Sequence, residues 1–174
     1  MNYFEFFNIS VSFLLDEAAL KKAFYSNSKK YHPDFYTLES EEKQQEVLDL
    51  STLNNNAYKT LSDFDKRMKY ILEFKGVLGE EGNNQIPQDF LMKMMDINEN
   101  LMELEFDFDQ QKYDEAAQGL QTLETQLLQE VQPFLEKYDE NKSEEGELIA
   151  IKNYYLKKRY LLRIHENLNK FASL

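Results

Sequence analysis

The sequence predicts an all-α protein, an N-terminal helical hairpin followed by a C-terminal antiparallel three-helix bundle. Three observations predict it. Apolar residues recur at spacings of three and four over most of the chain. Only 5 Gly and 3 Pro in 174 residues interrupt that pattern, so long helices are expected. The run Gly76-Val77-Leu78-Gly79-Glu80-Glu81-Gly82-Asn83-Asn84-Gln85 holds three of the five glycines and has no helical period, which divides the chain into modules at 1–75 and 86–174 with a linker at 76–85.

In the first module, Tyr3, Phe4, Phe7 and Ile9 form one helical turn and an extended lead-in that closes over a core. Asp16 has the chemistry of an N-cap for a helix running to about Tyr31, with Leu20, Ala23, Phe24, Asn27 and Tyr31 on one side. The other side carries Lys22, Tyr25, Ser26 and Lys29, flanked by Lys21 and Lys30, a basic face in an acidic protein. Lysines on a helix suit a plain solvated surface, but these lead directly into His32-Pro33-Asp34. Proline stops the helix there and biases His32 away from helical geometry, so the loop displays an imidazole and a carboxylate beside the cations. A second helix follows from roughly Ser40 to Leu61, with Val47, Leu50, Asn54, Ala57 and Leu61 as one stripe. Two helices packed along these stripes make a hairpin with the His-Pro-Asp loop at its tip. A short helix, about Asp65 to Phe74, offers Met68, Ile71 and Leu72 for packing.

In the second module, helices are expected at about Pro87–Phe108, Gln111–Tyr138 and Glu144–Phe171. The middle one bears Tyr113, Ala116, Leu120, Leu123, Leu127, Phe134 and Tyr138 at nearly heptad spacing, and Pro133 predicts a kink or early break near Gln132. The last offers Ile151, Tyr155, Leu162 and Leu168. The first has more apolar surface than one neighbour uses. Phe90, Met94, Ile97, Leu101, Leu104 and Phe108 form a complete core stripe, while Leu91, Met95, Met102 and Phe106 group on a second face beside Met92 and Glu99, with Asp96 and Glu103 at its border. Bundle helices often pack two faces internally. Adaptable methionines edged by one sign of charge favour a docking site for a protein with a basic rim.

Composition bounds the function. A net charge of −12 speaks against nucleic acid, and it is concentrated in residues 76–174, where 10 Lys and Arg face 20 Asp and Glu, whereas residues 1–75 hold 10 against 12. With no cysteine there is no disulfide, thiol nucleophile or thiolate ligand, and the 2 histidines do not form a metal pair. No cofactor, no catalytic residue and no metal ligand is expected. His32 as a general base would need a nucleophile or metal and a pocket besides Asp34; His165 suits a surface or partly buried role in the last helix. No leader and no apolar run approaching a membrane span is read in the sequence, so a cytoplasmic protein without a membrane partner is expected, and with no Gly-rich phosphate loop no nucleotide site is expected.

Tyr31-His32-Pro33-Asp34 between a basic and an apolar helix resembles the defining element of J-domains. More narrowly, Asn2-Tyr3-Phe4-Glu5-Phe6-Phe7, Leu53-Asn54-Asn55-Asn56-Ala57-Tyr58-Lys59-Thr60-Leu61 and Arg67-Met68-Lys69-Tyr70-Ile71-Leu72 resemble the HscB family of iron–sulfur co-chaperones, over nearly the whole chain. The sequence departs from the family at Phe35, where a basic residue is frequent, and at Phe64, where proline is frequent. The resemblance implies an L-shaped two-domain arrangement. It also implies that His32, Pro33, Asp34, Lys22, Lys29, Lys30 and Tyr25 bind a DnaK/HscA-class chaperone and stimulate its ATPase. Phe90-Leu91-Met92-Lys93-Met94-Met95-Asp96-Ile97-Asn98-Glu99 resembles the family's stretch for the IscU-type iron–sulfur scaffold, so Leu91, Met92, Met95, Asp96, Glu99, Glu103 and Tyr160 are the implied scaffold contacts. A J-protein with a different cargo and a purely structural helical adaptor stay open beside this reading. An adaptor would be indifferent to His32→Gln, and a J-protein with other cargo would ignore the scaffold. A monomer is expected, although the surplus apolar face would also suit a dimer.

Overall fold

The computed structural model describes residues 1–79 and 84–171, and every described regular element is helical. Residues 80–83 of the expected linker and 172–174 of the expected bundle lie outside the described residues. The chain divides into two compact units, Met1–Phe74 with Tyr138–Lys142, and Lys75–Lys137 with Ser143–Leu174.

The first unit begins with α1 (Tyr3–Phe7), too short to stand alone. A capping box holds it: the Asn2 side chain accepts from the Glu5 N–H at 2.9 Å and the Glu5 carboxylate accepts from the Asn2 N–H at 3.0 Å. Asn8 ends the turn in the left-handed region at φ 53°. The Tyr3 ring stacks on Tyr70 at 4.5 Å, and the Tyr70 hydroxyl accepts from the Tyr3 N–H at 3.0 Å. Phe4, Phe7, Val11 and Phe13 are buried.

α2 (Glu17–Lys30) starts where its cap predicts, with Asp16 Oδ1 accepting from the N–H groups of Ala18 and Ala19. Leu20 is fully buried, and Ala23, Phe24, Asn27 and Tyr31 are half-buried. α3 (Glu41–Leu61) starts one residue after its cap, Ser40, and buries Val47, Asn54, Ala57 and Leu61 toward α2; Leu50 is only half-buried. Asn54, 1% exposed, sets the register of the two helices by donating to the Phe24 carbonyl at 3.2 Å and to Ser28 Oγ at 2.9 Å. Phe24 stacks on Tyr58 at 4.2 Å along the same seam.

α4 (Phe64–Phe74) buries Met68, Ile71 and Leu72 as its spacing predicts, and with them Arg67, 4% exposed. The guanidinium is used as a neutral donor would be. Its Nε–H donates to the Phe13 carbonyl at 2.9 Å and its Nη1–H to the Leu61 carbonyl. It thereby ties the extended lead-in to the ends of α3 and α4. Burial lowers its pKa from the usual arginine value, nearby Glu17 and Asp63 opposing that shift.

The second unit is a three-helix bundle of α5 (Gln88–Phe106), α6 (Gln110–Lys137) and α7 (Glu145–Phe171). α6 and α7 form the longest contact, and α5 packs on both. Its core consists of Phe90, Met94, Leu101 and Leu104 from α5, a row through Leu120, Leu127, Val131 and Leu135 from α6, and Ile151, Tyr155, Leu161, Ile164 and Leu168 from α7.

Several expected core positions differ. Phe108 lies past the end of α5, in the turn before α6, and is exposed; Ile97 is half-buried. Phe134 is at the surface because the buried row follows i, i+4 steps from Leu127 to Val131 and Leu135. Leu162 is exposed because Leu161, about 100° away around the helix, occupies the seam. Pro133 does not end α6, which continues through Lys137 with Leu135 buried beyond it. Tyr138 is not a bundle seam residue. It lies past the last turn of α6 and meets Phe13 edge-on at 4.8 Å, in the first unit.

Candidate functional site

The first candidate site is the turn that joins α2 to α3. Tyr31 caps α2 through its N–H to the Asn27 carbonyl at 2.8 Å, and Pro33 then opens a 3₁₀ turn, Pro33–Tyr36. His32, extended at φ −75° and ψ 121°, caps that turn: its Nδ1 accepts from the Asp34 N–H at 3.3 Å. An imidazole used this way presents Nε2–H outward as a donor. The Asp34 carboxylate sits 3.7 Å from the same Nδ1, and both side chains are largely in solvent. Tyr36 anchors the turn from below, its hydroxyl donating to the Lys30 carbonyl at 2.8 Å. On the far side, the Gln44 side-chain amide donates to the carbonyls of Thr37 and Glu39. His32, Pro33 and Asp34 are therefore exposed yet fixed in shape.

Lys22, Tyr25, Lys29 and Lys30 are all exposed on α2, leading up to this turn. Lys30 Nζ lies 5.0 Å from the Tyr31 ring, a cation–π distance. Among the described residues no ion pair engages Lys21, Lys22, Lys29 or Lys30, so their charge faces solvent.

The second candidate site lies on α5. With Phe90 at zero and ~100° per residue, Leu91, Met95, Met102 and Phe106 fall at ~100–160°, Met92 and Glu99 at ~180–200°, and Glu103 and Asp96 at ~220–240°. The apolar members are in solvent, with Met95 59%, Met102 61% and Phe106 89% exposed, and Leu91 and Met92 exposed beside them. Neither α6 nor α7 covers this face, although both cover the opposite one. Asp96, Glu99 and Glu103 are exposed along its outer border. Of these, Glu103 is engaged: Lys112 at the start of α6 reaches its carboxylate at 2.7 Å, and that hydrogen bond raises the lysine pKa. Sequence spacing could not find that pair, because the chain reverses between the two residues.

Tyr160 is the member of the implied set that comes from α7. It is half-buried, edge-on to Phe90 at 5.8 Å, and its hydroxyl accepts from the Asn98 side-chain amide at 3.0 Å. Asn98 lies at ~80° on α5, between the core stripe and Leu91, so Tyr160 borders the exposed face on the side away from the carboxylates. Arg163 is stacked on Tyr160 at 5.6 Å and Lys157 on Phe90 at 5.7 Å, which makes that flank basic. Asn98 was not singled out from the sequence, since its role depends on a residue 62 positions away. His165 is half-buried, its Nε2 3.0 Å from Glu124 on α6, away from both sites.

Among the described residues, no cluster of three or more His, Cys, Asp and Glu is placed to hold a metal ion, and no helix is long and apolar enough to cross a membrane.

Comparison with known proteins covers both units. The DnaJ domain family matches residues 2–70, and the family described as the HSCB C-terminal oligomerisation domain matches residues 86–169. A Burkholderia multivorans protein named co-chaperone protein HscB homolog is 34% identical over 101 residues, which are 58% of this chain and 58% of that protein, under two thirds of its length. A Psychromonas ingrahamii protein of the same name is 32% identical over 122 residues, 70% of this chain and 72% of the relative. The crystal structure of human co-chaperone protein HscB superposes with a TM-score of 0.71 at 25% identity, covering 97% of this chain and 81% of that one.

Proposed function

Because the chain belongs to the HscB family of co-chaperones, we propose that it delivers an IscU-type iron–sulfur scaffold to a DnaK/HscA-class chaperone and stimulates that chaperone's ATPase. The observation that carries this reading is the presence in one chain of a fixed, exposed His32-Pro33-Asp34 turn and an exposed Leu91, Met92 and Met95 face. Residues 1–75 are the chaperone-binding module and residues 86–174 the scaffold-binding bundle, joined by the segment at 76–85. The protein acts as a monomer in the bacterial cytoplasm.

The physical logic is recruitment. Two weak contacts joined by a short linkage raise the local concentration of cargo at the chaperone, to about the mM level. Lys22, Lys29 and Lys30 steer the approach, and Tyr25 contributes contact area beside them. His32, Pro33 and Asp34 bias the partner between conformations through hydrogen bonds and charge, and this chain supplies no group to the phosphoryl chemistry. On the bundle, Leu91, Met92, Met95 and Tyr160 provide apolar contact, while Asp96 and Glu99, with Glu103 beside them already paired to Lys112, select a partner with a basic rim.

Two measurements test the reading. Calorimetric titration with the IscU-type scaffold of the same organism is expected to show saturable binding that a folded Leu91→Ala, Met95→Ala double variant loses. ATPase assays with the DnaK-class chaperone are expected to show stimulation that His32→Gln abolishes. Absence of scaffold binding at low salt removes the iron–sulfur cargo, and an active His32→Gln variant removes the chaperone role.

A further inference from the structure

We propose that Phe35 is an apolar anchor for the DnaK-class chaperone, adding a salt-insensitive contact to the charge-steered docking of the turn; this rests on the co-chaperone reading above. Phe35 directly follows Asp34 and is 68% exposed. The core of this unit is built from other residues, with Phe4, Phe7, Phe13 and Leu20 buried while Phe35 stays mostly in solvent. A large exposed ring that the fold does not use marks a contact surface more strongly when its neighbours are already docking groups.

Its position is held. The Phe35 N–H donates to the His32 carbonyl at 3.1 Å, the ring lies 5.4 Å from the imidazole, and the Tyr36 hydroxyl clamps the same turn to the Lys30 carbonyl at 2.8 Å. An aromatic side chain fixed through its backbone loses little freedom on binding. The ring stands beside the imidazole on the same exposed turn, within reach of a surface that receives the Nε2–H of His32. Leu38, fully exposed on the same loop, extends the apolar tip. The cations of α2 lie on the approach to the turn, so the fitting partner is an apolar recess on the chaperone bordered by acidic groups.

The ring and the lysines respond differently to salt, and that difference is the test. With the full chain and the DnaK-class chaperone of the same organism, the concentration giving half-maximal ATPase stimulation is measured at low and high salt for wild type, Phe35→Ala, Phe35→Leu and His32→Gln. Phe35→Ala is expected to raise that concentration by roughly ten-fold, by the same factor at both salts, with Phe35→Leu recovering most of the loss. An unchanged value for Phe35→Ala, while His32→Gln abolishes stimulation, overturns the anchor alone. A Phe35→Ala defect that disappears at high salt overturns it too. Stimulation unaffected by His32→Gln overturns the co-chaperone reading itself. Melting curves accompany the assay: coincident curves for wild type and Phe35→Ala are expected, and a strongly lowered one assigns the ring to the fold instead of the contact.

Discussion

The side-chain amide of Asn98 donates to the hydroxyl of Tyr160 at 3.0 Å, tying α5 to α7 at the edge of the exposed methionine face. The bond fixes where the tyrosine ring stands relative to Leu91. Removing Asn98 leaves the hydroxyl without that donor and frees the ring to turn about its contact with Phe90. Asn98→Ala is expected to cost about 1 kcal/mol of stability and to weaken scaffold binding roughly three- to ten-fold. Tyr160→Phe, which keeps the ring and loses only the hydroxyl, is expected to do less to binding. Thermal melts and calorimetric titration of both variants measure the two effects separately.

The exposed lysines of α2 make a different prediction. Lys22 and Lys29 have no ion-pair partner among the described residues, so in the proposed docking they act through the long-range field. Lys22→Glu and Lys29→Glu are expected to slow association with the DnaK-class chaperone several-fold at low ionic strength, and the difference from wild type is expected to shrink as salt shortens the screening length to about 8 Å near physiological ionic strength. Stopped-flow association rates over a salt series read this directly.

Arg67 supports the first unit through two backbone carbonyls, those of Phe13 and Leu61. Arg67→Met fills similar space yet leaves both acceptors buried without a donor, and is expected to destabilise the unit by about 2–4 kcal/mol. Lysine, with a single ammonium point, does not reproduce the fork, so Arg67→Lys is expected to be nearly as damaging. Denaturant unfolding followed by circular dichroism is the measurement.

Asp63 carries the clearest dependence on pH. Its Oδ1 accepts from the N–H groups of Asp65 and Lys66 at 3.0 Å each, capping α4, and Lys66 Nζ lies 3.3 Å from the other oxygen. The Lys66 backbone hydrogen bond, followed by that side chain, lowers its pKa from the usual 3.8. A carboxyl whose folded pKa lies below its unfolded one contributes stability above the unfolded value, and that contribution is lost as pH falls through the folded value. Wild type is therefore expected to exceed Asp63→Ala by about 1 kcal/mol near neutrality, with the gap closing below pH 3.8. Melting temperatures of both proteins from pH 7 downward test the sign.

Much of the fold was legible because its determinants are local. Asp16 and Ser40 place the starts of α2 and α3 by accepting hydrogen bonds from residues two or three positions ahead, and the i, i+3, i+4 recurrence of apolar residues reports helix and buried face together. Pro33 breaks α2 by covalent geometry alone, so the exposed turn with its histidine and carboxylate could be read before any packing was known. The surplus face of α5 was likewise visible as a second apolar sector, since helical phase depends only on residue number.

What the tertiary structure alone decided are contacts between residues remote in the chain. Nothing in the sequence marks Arg67 as buried; the carbonyls of Phe13 and Leu61 that receive it come from elsewhere in the chain. Glu103 reads as a free rim charge until the chain reversal brings Lys112 to 2.7 Å. Tyr138 fits the spacing of α6, yet its ring joins Phe13 because the helix ends one residue earlier. Caps and periodicity are encoded within a few residues, whereas the partner of a long polar or aromatic side chain depends on which distant backbone the folded chain brings within reach.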